Sequence, residues 1–152
     1  MIRFWRTRGK YGCFSNFSRH PVNLAGRLWP TVEHYYQAQK FSDTLYQDAI
    51  FRAATPKIAA TMGRNPAWPL RCEWESIKEQ VMYEALVAKF IKHREIRLIL
   101  LNTGDDLIIE ASPYDSYWGE GADGRGSNRL GILLMKVRQL LRAEVVSEDV
   151  EC

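Results

Sequence analysis

The stretch "WPTVEHYYQAQKF" at residues 29–41 joins a predicted hairpin to a predicted helix. The preceding residues, "VNLAGRLWP", favour a β-hairpin that turns at Gly26 and stops at Pro30. Next, Thr31 is a suitable N-cap, and Glu33 lies in the first helical turn, where a carboxylate suits the helix dipole. We therefore predict that a helix begins directly after the hairpin.

The rest of the chain predicts more helices around small β elements. "DLIIEA" at 106–111 is typical of a short strand, and "FWRTRGKYGCFSNFS" at 4–18 favours a strand that leads into a loop. We therefore predict an α+β, mainly helical single domain with a small β-sheet or hairpin at 1–143, followed by an acidic, flexible tail at 144–152. Further helices are expected at about 43–54, 55–63, 72–93, 94–102 and from 129 onwards.

Length and composition are those of an ordinary globular protein. The 152 residues suit one domain, and 46% hydrophobic and 26% charged residues are usual for that class. The sequence has no apolar segment of signal-peptide type and no run long enough to span a bilayer. Cys13, Cys72 and Cys152 are widely spaced, which favours free thiols in a reducing compartment. We expect a cytoplasmic protein with no membrane partner.

The charge distribution favours an anionic ligand. The last nine residues hold four acidic side chains and no basic one, which leaves 21 basic against 14 acidic residues in the rest of the chain. Such an excess of positive charge suits a phosphate. Nucleic acid is the competing interpretation, but the basic residues are scattered and no known nucleic-acid-binding motif is present.

The helix that follows the hairpin offers the first candidate site. Because successive helical residues advance by about 100°, Glu33, Tyr36, Gln37 and Lys40 share one face. A solvated helix face is the plainer alternative, whereas a carboxylate in so aromatic an environment can serve as an acid or a base. No second histidine lies at a metal-ligand spacing from His34, so we predict no metal site.

The segment "PYDSYWGEGADGRGSNRLG" is unusually long for a connection inside a compact domain, and its aromatic residues argue against disorder. Asp115 and Trp118 are three residues apart in a turn-like part of it. Its glycines lead to the N-terminus of the last helix, where unpaired backbone N–H groups favour an anion. Arg125 or Arg129 would assist in holding a phosphate there.

Trp74 and Asn128 each have a structural alternative. Trp74 begins the apolar stripe of the helix predicted at 72–93, where core packing is the default interpretation. A tryptophan at the end of such a stripe can instead reach a pocket rim and stack on a heterocycle. Asn128 precedes the last helix and is as well placed to be its N-cap as to contact a ligand.

Five segments occur in a fixed order along the chain: "FSNF" at 14–17, "WPTVEHYYQAQKF" at 29–41, "AATMGR" at 59–64, "WESIKEQVM" at 74–82 and "YWGEGADGRGSNRLGILLM" at 117–135. Their combination resembles the NADAR family of YbiA-like N-glycosidases over nearly the whole chain. The resemblance implies a hydrolase, without a cofactor, for ribosylamino-pyrimidine 5′-phosphates, which are reactive intermediates of riboflavin biosynthesis. Other branches of the family act on ADP-ribose attached to nucleobases.

The resemblance carries functional roles to Glu33, Trp74, Asp115, Trp118 and Asn128. One of the two carboxylates would activate the attacking water while the other steadies the ribose or the leaving base, with Glu33 as the marginal preference for the base. The tryptophans would stack on the base or exclude water, and the asparagine would bond to ribose hydroxyls or to the base edge. The charge argument adds three residues for the 5′-phosphate: Lys40, Arg125 and Arg129.

Several alternatives remain open beside a metabolite N-glycosidase. An ADP-ribosyl-nucleobase glycohydrolase, which removes ADP-ribose from guanine or DNA, would use the same residues. A non-catalytic ADP-ribose or nucleotide-binding module would not need Glu33, and an interaction or regulatory protein would not need a working pocket. The oligomeric state stays open. We expect the candidate residues to converge on a small phosphorylated N-riboside, and a turnover assay separates enzymes from binding proteins.

Overall fold

The computed structural model describes the backbone of residues 1–150 and the side chains of residues 1–144. The strands are β1 (Ile2–Phe4), β2 (Val22–Leu24), β3 (Arg27–Trp29) and β4 (Ile108–Glu110), and the helices are α1 (Val32–Gln39), α2 (Thr44–Phe51), α3 (Pro56–Gly63), α4 (Trp74–Lys92), α5 (Arg94–Asn102) and α6 (Arg129–Val150). The predicted α+β, mainly helical class is therefore confirmed. Within this described part, no helix combines the length and the apolar character needed to cross a membrane.

The tail predicted at 144–152 falls partly on the last turns of α6, which continues to Val150. Residues 151 and 152, and the side chains after 144, lie outside the described residues. The flexibility of this segment stays a prediction. The start of α6 at Arg129 is where the sequence predicted it.

The chain forms two compact units, which we call the central unit and the terminal unit. The central unit comprises Asn16–Lys92, and the terminal unit combines Met1–Ser15 with the chain from His93 onwards. Large apolar side chains are fully buried in both units: Trp29, Phe41, Ile50, Leu86 and Phe90 in the central unit, and Phe14, Leu100, Ile108 and Leu134 in the terminal unit.

In the central unit, local sequence signals place the hairpin and the helix starts. Strands β2 and β3 pair antiparallel, and the turn between them has positive φ angles of 53° at Ala25 and 74° at Gly26, as a two-residue hairpin turn of type I′ requires. Oγ1 of Thr31 accepts a 3.1 Å hydrogen bond from the N–H of His34, so it caps α1. The side chains of Asp43 and Thr55 cap α2 and α3 in the same way.

Helix α1 is the centre of this unit. It packs against α2, α3 and α4, and every residue from Val32 to Ala38 is buried. A short helix with neighbours on several sides must bury its polar residues as well as its apolar ones. The interpretation of Glu33, Tyr36 and Gln37 as part of a solvated face is therefore excluded.

The terminal unit contains segments from both ends of the chain. Strands β1 and β4 pair parallel, with Ile2 opposite Ile108 and Phe4 opposite Glu110. Helix α6 packs on β4 and on α5. Beyond β4 the long connection returns beside the strand, since the N–H of Glu120 donates to the carbonyl of Glu110 at 2.9 Å.

Candidate functional site

Glu33 lies in the buried interior of the central unit, in the first turn of α1. Its backbone N–H donates to the carbonyl of Asn16 at 3.1 Å, and the residue is only 8% exposed. Its Oε1 accepts a 2.7 Å hydrogen bond from Nε2 of Gln37, one turn further along the helix. A hydrogen bond of this kind stabilises the charged form of a buried carboxylate, whereas burial alone favours the neutral form. The shared face predicted for α1 is therefore present.

The carboxamide of Gln37 fits closely against Gly63, the last residue of α3. A Cβ built on Gly63 would lie 1.9 Å from Oε1 of Gln37. The carboxamide therefore occupies the space that a side chain at residue 63 would need. Within the described residues, Oε1 of Gln37 is buried without a hydrogen-bond partner, as is Oδ1 of Asn16. Buried polar atoms are normally paired, so these two oxygens are exceptions in the interior of the central unit.

A cavity of about 660 Å³ opens in the central unit beside this face of α1. We call it the cationic cavity; its lining includes Tyr36, Lys40, Gly63, Arg64, Trp74, Glu75 and Lys78, together with most of the connector at 65–70. Its volume falls within the roughly 300–1,000 Å³ of small-molecule sites. Glu33 is not part of the lining; it lies one turn before Tyr36 on the same helix face.

The three cations of the cavity act on one another. Burial lowers the pKa of Lys40, and the nearby charges of Arg64 and Lys78 lower that pKa further, whereas Glu33 and Glu75 oppose the shift. Nζ of Lys40 lies 5.7 Å from the centre of the Tyr36 ring and donates a long hydrogen bond of 3.4 Å to the carbonyl of Gly63. The cavity therefore holds positive charge that protein carboxylates only partly offset.

Sequence reasoning did not select Arg64 or Lys78. Both stand in segments that carry the family resemblance, "AATMGR" and "WESIKEQVM". Lys78 is four residues after Trp74, so the two share a face of α4. That spacing was the signal that could have identified Lys78, whereas Arg64 depends on the packing of α3.

Trp74 is packed in the core and also borders the cavity, while its stacking on a heterocycle stays a prediction. It is 4% exposed, and its ring centre lies 5.2 Å from that of Tyr36, yet it belongs to the lining of the cationic cavity. Trp68, in the connector, also lines the cavity and stacks on Tyr46 with ring centres 4.3 Å apart. The cavity thus offers aromatic walls beside its cations.

In the terminal unit, Asp115 shapes the turn that carries Trp118. Its Oδ1 accepts hydrogen bonds from the N–H groups of Tyr117 at 3.0 Å and Trp118 at 2.8 Å. The indole of Trp118 lies edge-on to the ring of Tyr117, with ring centres 4.9 Å apart. Asp115 and Trp118 are therefore positioned together, and their contact with a substrate stays a prediction.

The N-terminus of α6 does not present the free amides that the sequence suggested. Its first N–H groups donate to carbonyls of the preceding loop at 3.0 Å each: Asn128 to Gly119, Arg129 to Tyr117 and Leu130 to Trp118. Donors that are already paired offer little to an anion. These paired amides argue against a phosphate held by the helix N-terminus, and the roles of the Arg125 and Arg129 side chains stay predictions.

Asn128 binds the edge of β4 through its side chain. Its Oδ1 accepts from the N–H of Glu110 and its Nδ2 donates to the carbonyl of Ile108, both at 2.9 Å. Its backbone has a φ of 49°. Its carbonyl accepts a 3.0 Å hydrogen bond from the N–H of Ile132, which is the first hydrogen bond of α6. Asn128 is thus the junction between β4 and α6, and its proposed bond to substrate would add to these contacts.

His34 is engaged within the protein through both ring nitrogens. Nδ1 lies 2.8 Å from Oγ1 of Thr31, and Nε2 lies 3.0 Å from the carbonyl of Ala53. Because a carbonyl only accepts, Nε2 carries the proton. Burial lowers the pKa of this imidazole. Within the residues that the structure describes, no group of three His, Cys, Asp or Glu side chains could hold a metal ion.

Comparisons with known proteins identify a family and its members as similar to this chain. The family model described as the NADAR domain matches residues 3–142. N-glycosidase YbiA of Shigella flexneri is 51% identical over 144 residues, which cover 95% of this chain and 90% of that protein. The riboflavin biosynthesis protein PYRR, chloroplastic, of Zea mays is 40% identical over 91% of this chain and 25% of its own length.

A solved structure shares the fold. The NMR structure of the Escherichia coli protein YbiA matches with a TM-score of 0.89 and 50% sequence identity, over 95% of this chain and 86% of that one. The family model and the relatives thus cover almost the whole sequence, including the segments that supply Glu33, Trp74 and Asp115. The chain belongs to the NADAR family.

Proposed function

We propose that this protein is an N-glycosidase that hydrolyses the C1′–N bond of ribosylamino-pyrimidine 5′-phosphates, reactive intermediates of riboflavin biosynthesis. The observation that carries the proposal is the buried carboxylate of Glu33, which Gln37 orients on the helix face that also lines the cationic cavity. The names of the Shigella and maize relatives, N-glycosidase and riboflavin biosynthesis protein, support this substrate class. Destruction of such intermediates is a form of metabolite damage control.

The reaction needs a group that manages protons and stabilises positive charge at the ribose. As the C1′–N bond breaks, its electron pair leaves with the nitrogen, and the ribose gains oxocarbenium character. The carboxylate of Glu33 stabilises that cation and takes the proton of the water that forms the new C1′–O bond. The leaving nitrogen receives a proton, and the products are ribose 5-phosphate and the free base. No cofactor is consumed.

The remaining residues bind and orient. Trp74 lines the cavity. There it excludes water and stacks on the pyrimidine ring. Asp115 steadies the ribose or the leaving base, and Trp118, on the same turn, stacks on that base. Asn128 contributes a bond to ribose hydroxyls or to the base edge. These roles make Asp115→Asn and Trp118→Ala informative companions to variants of Glu33.

The direct test is turnover by Glu33→Gln with a ribosylamino-pyrimidine 5′-phosphate. We expect kcat to fall about 10²- to 10⁴-fold, the usual contribution of a general base, because glutamine keeps the size of glutamate but takes no proton. Glu95→Gln, on the exposed surface of α5, is the matched control and should keep the wild-type rate. Wild-type turnover by Glu33→Gln would exclude Glu33 as the base.

A second candidate substrate follows from the charge of the cavity. Lys40, Arg64 and Lys78 suit a diphosphate as well as a monophosphate, so ADP-ribose attached to guanine is the alternative. The same assay with ADP-ribosylated guanosine and with ADP-ribosylated DNA compares the two enzyme classes by kcat/KM. Tight binding without release of a free base would instead identify a binding module.

A further inference from the structure

The cavity of the central unit holds cations that the sequence did not select for any role. We infer that Arg64 and Lys78, together with Lys40, form the phosphate subsite of the cationic cavity, and that they, rather than Arg125 and Arg129, select a phosphorylated substrate. The inference rests on the proposed function and names the residues that bind the phosphate group of its substrate. Its chemistry is the recognition of a phosphate monoester on a ribose.

Arg64 has its donors available. It follows α3 directly as the C-cap residue, its side chain is exposed to solvent at the cavity, and its guanidinium has no hydrogen bond or ion pair to any side chain in the described part of the chain. A guanidinium offers five N–H donors in a planar fork that matches two phosphate oxygens. Arg64 can therefore supply a bidentate contact without breaking an existing one.

Lys78 brings a partly buried ammonium to the same cavity. Its Nζ lies 2.6 Å from Oε2 of Glu75, and the side chains are 16% and 80% exposed respectively. Burial makes a charge costly unless it is paired, and the exposed Glu75 is free to swing towards water when a stronger anion arrives. A phosphate dianion in the cavity would replace this monovalent partner.

Lys40 completes the subsite from α1. It is partly buried, and the only hydrogen bond of its Nζ within the described residues is the long one to the carbonyl of Gly63. The charges of Arg64 and Lys78 reach it, so the three cations share a small volume. An anion among them is attracted by all three charges and offsets their mutual repulsion.

The rival location in the terminal unit is weaker. An anion site at the N-terminus of α6 depends on unpaired N–H groups, and those of Asn128, Arg129 and Leu130 are paired with loop carbonyls. What remains there is side-chain charge alone, on an exposed Arg125 and a half-buried Arg129. The cationic cavity offers three cations and aromatic walls together.

A kinetic cycle between variants and substrates tests the assignment. The wild type, Arg64→Ala and Lys78→Ala are assayed on the ribosylamino-pyrimidine 5′-phosphate and on the same compound without its phosphate. We expect kcat/KM for the phosphorylated substrate to fall about 10- to 100-fold in each variant, the range for losing a charged hydrogen bond, with little change for the dephosphorylated one. Arg52→Ala is the matched control, since Arg52 is the exposed C-cap residue of α2 outside the cavity.

The contrary results are equally specific. Equal losses on both substrates, or no loss on either, would overturn the assignment. So would a phosphate-dependent loss that follows Arg125→Ala or Arg129→Ala instead. Glu75→Gln should act in the opposite direction and lower KM for the phosphorylated substrate, because it removes a competing negative charge from Lys78; an unchanged or raised KM counts against the subsite.

A binding experiment separates this inference from the proposed function. Ribose 5-phosphate and ribose are titrated into the protein while NMR follows the indole N–H signals of Trp68 and Trp74. We expect ribose 5-phosphate alone to shift these signals and Arg64→Ala to abolish the shift. That result in a protein with no turnover would sustain the subsite and reject the N-glycosidase; turnover without a shift, and without dependence on Arg64, would do the reverse.

Discussion

Nε2 of Gln37 donates a 2.7 Å hydrogen bond to Oε1 of Glu33 in the buried interior of the central unit. The orientation of the carboxamide is fixed chemically, because the opposite one would set its oxygen against a carboxylate oxygen. Gln37 therefore orients the carboxylate of Glu33 by donating a hydrogen bond to it. In the proposed reaction this is a positioning role, since Gln37 acts through the carboxylate.

Replacing Gln37 by Leu should weaken catalysis, because the carboxylate of Glu33 loses a donor that orients it. A hydrogen bond to a charged group contributes about 1.5–3 kcal/mol, so we expect kcat/KM to fall about 10- to 100-fold. The measurement is kcat/KM with a ribosylamino-pyrimidine 5′-phosphate.

The chain provides a matched control for this substitution. Nε2 of Gln80 donates to Oε1 of Glu84 at 3.0 Å with the same spacing of four residues, but the pair is exposed. Gln80→Leu should leave kcat/KM unchanged. Wild-type kcat/KM in Gln37→Leu would show that Glu33 does not depend on this bond.

Gly63→Ala should disturb the same carboxylate from the neighbouring helix. The new Cβ would fall 1.9 Å from Oε1 of Gln37 and 3.1 Å from its Cβ, so the carboxamide must move. Overpacking of this kind costs about 1–3 kcal/mol of unfolding free energy, and we expect kcat to fall as the donor group of Gln37 is displaced from Glu33. Urea denaturation and turnover measure the two effects.

A double-mutant cycle shows whether the contact itself is responsible. In Gln37→Ala the side chain that clashes is absent, so adding Gly63→Ala should cost much less stability than it does in the wild type. Effects that simply add in the double variant would place the cost of Gly63→Ala in some other contact.

Sequence reasoning located the elements of the central unit because their signals are local. The cap of Thr31 and the turn at Gly26 involve atoms a few residues apart, and both are confirmed. The close fit of Gln37 against Gly63 joins residues 26 positions apart through the packing of α1 on α3. No local pattern encodes such a contact, which is also why Arg64 was not selected.

The loop before α6 illustrates a different limit. Its glycines and the helix N-terminus are a sound local signal for an anion site, but the signal assumes that the N–H groups are free. The loop folds back so that its own carbonyls take those groups, and only the long-range path of the backbone decides this. Asn128 was correctly placed before α6, yet its side chain binds β4, a partner outside both interpretations weighed from sequence.

Asn128→Asp should destabilise the terminal unit. The carboxylate still accepts a hydrogen bond from the N–H of Glu110. It cannot donate to the carbonyl oxygen of Ile108, and its negative charge repels that carbonyl oxygen. The cost of an unsatisfied or repelled buried polar group is about 1–3 kcal/mol, measured as unfolding free energy in urea. Asn23→Asp, at an exposed position of β2, should change stability little.

A second variant distinguishes the side-chain bonds of Asn128 from its backbone angle. Asn128→Gly tolerates the φ of 49° but removes both bonds to β4. If those bonds matter most, glycine should be at least as destabilising as aspartate. A glycine variant as stable as the wild type would assign the importance of Asn128 to its backbone conformation alone.

His34 should make the stability of the protein depend on pH in the mildly acidic range. Burial lowers the pKa of its imidazole in the folded state below the ordinary value of about 6.5. Between these two pKa values the unfolded chain binds a proton that the folded protein does not, so stability rises with pH there. The contribution of His34 is thus fully present above about pH 6.5 and is lost as pH falls towards the folded pKa.

Urea denaturation of the wild type and of His34→Gln from pH 7.5 down to pH 5 tests this dependence. Glutamine does not titrate, so the difference in unfolding free energy between the two proteins should shrink as pH falls. Other groups titrate equally in both proteins and cancel in that difference. A constant difference between wild type and His34→Gln across this range would mean that His34 is protonated in the folded protein as readily as in the unfolded chain.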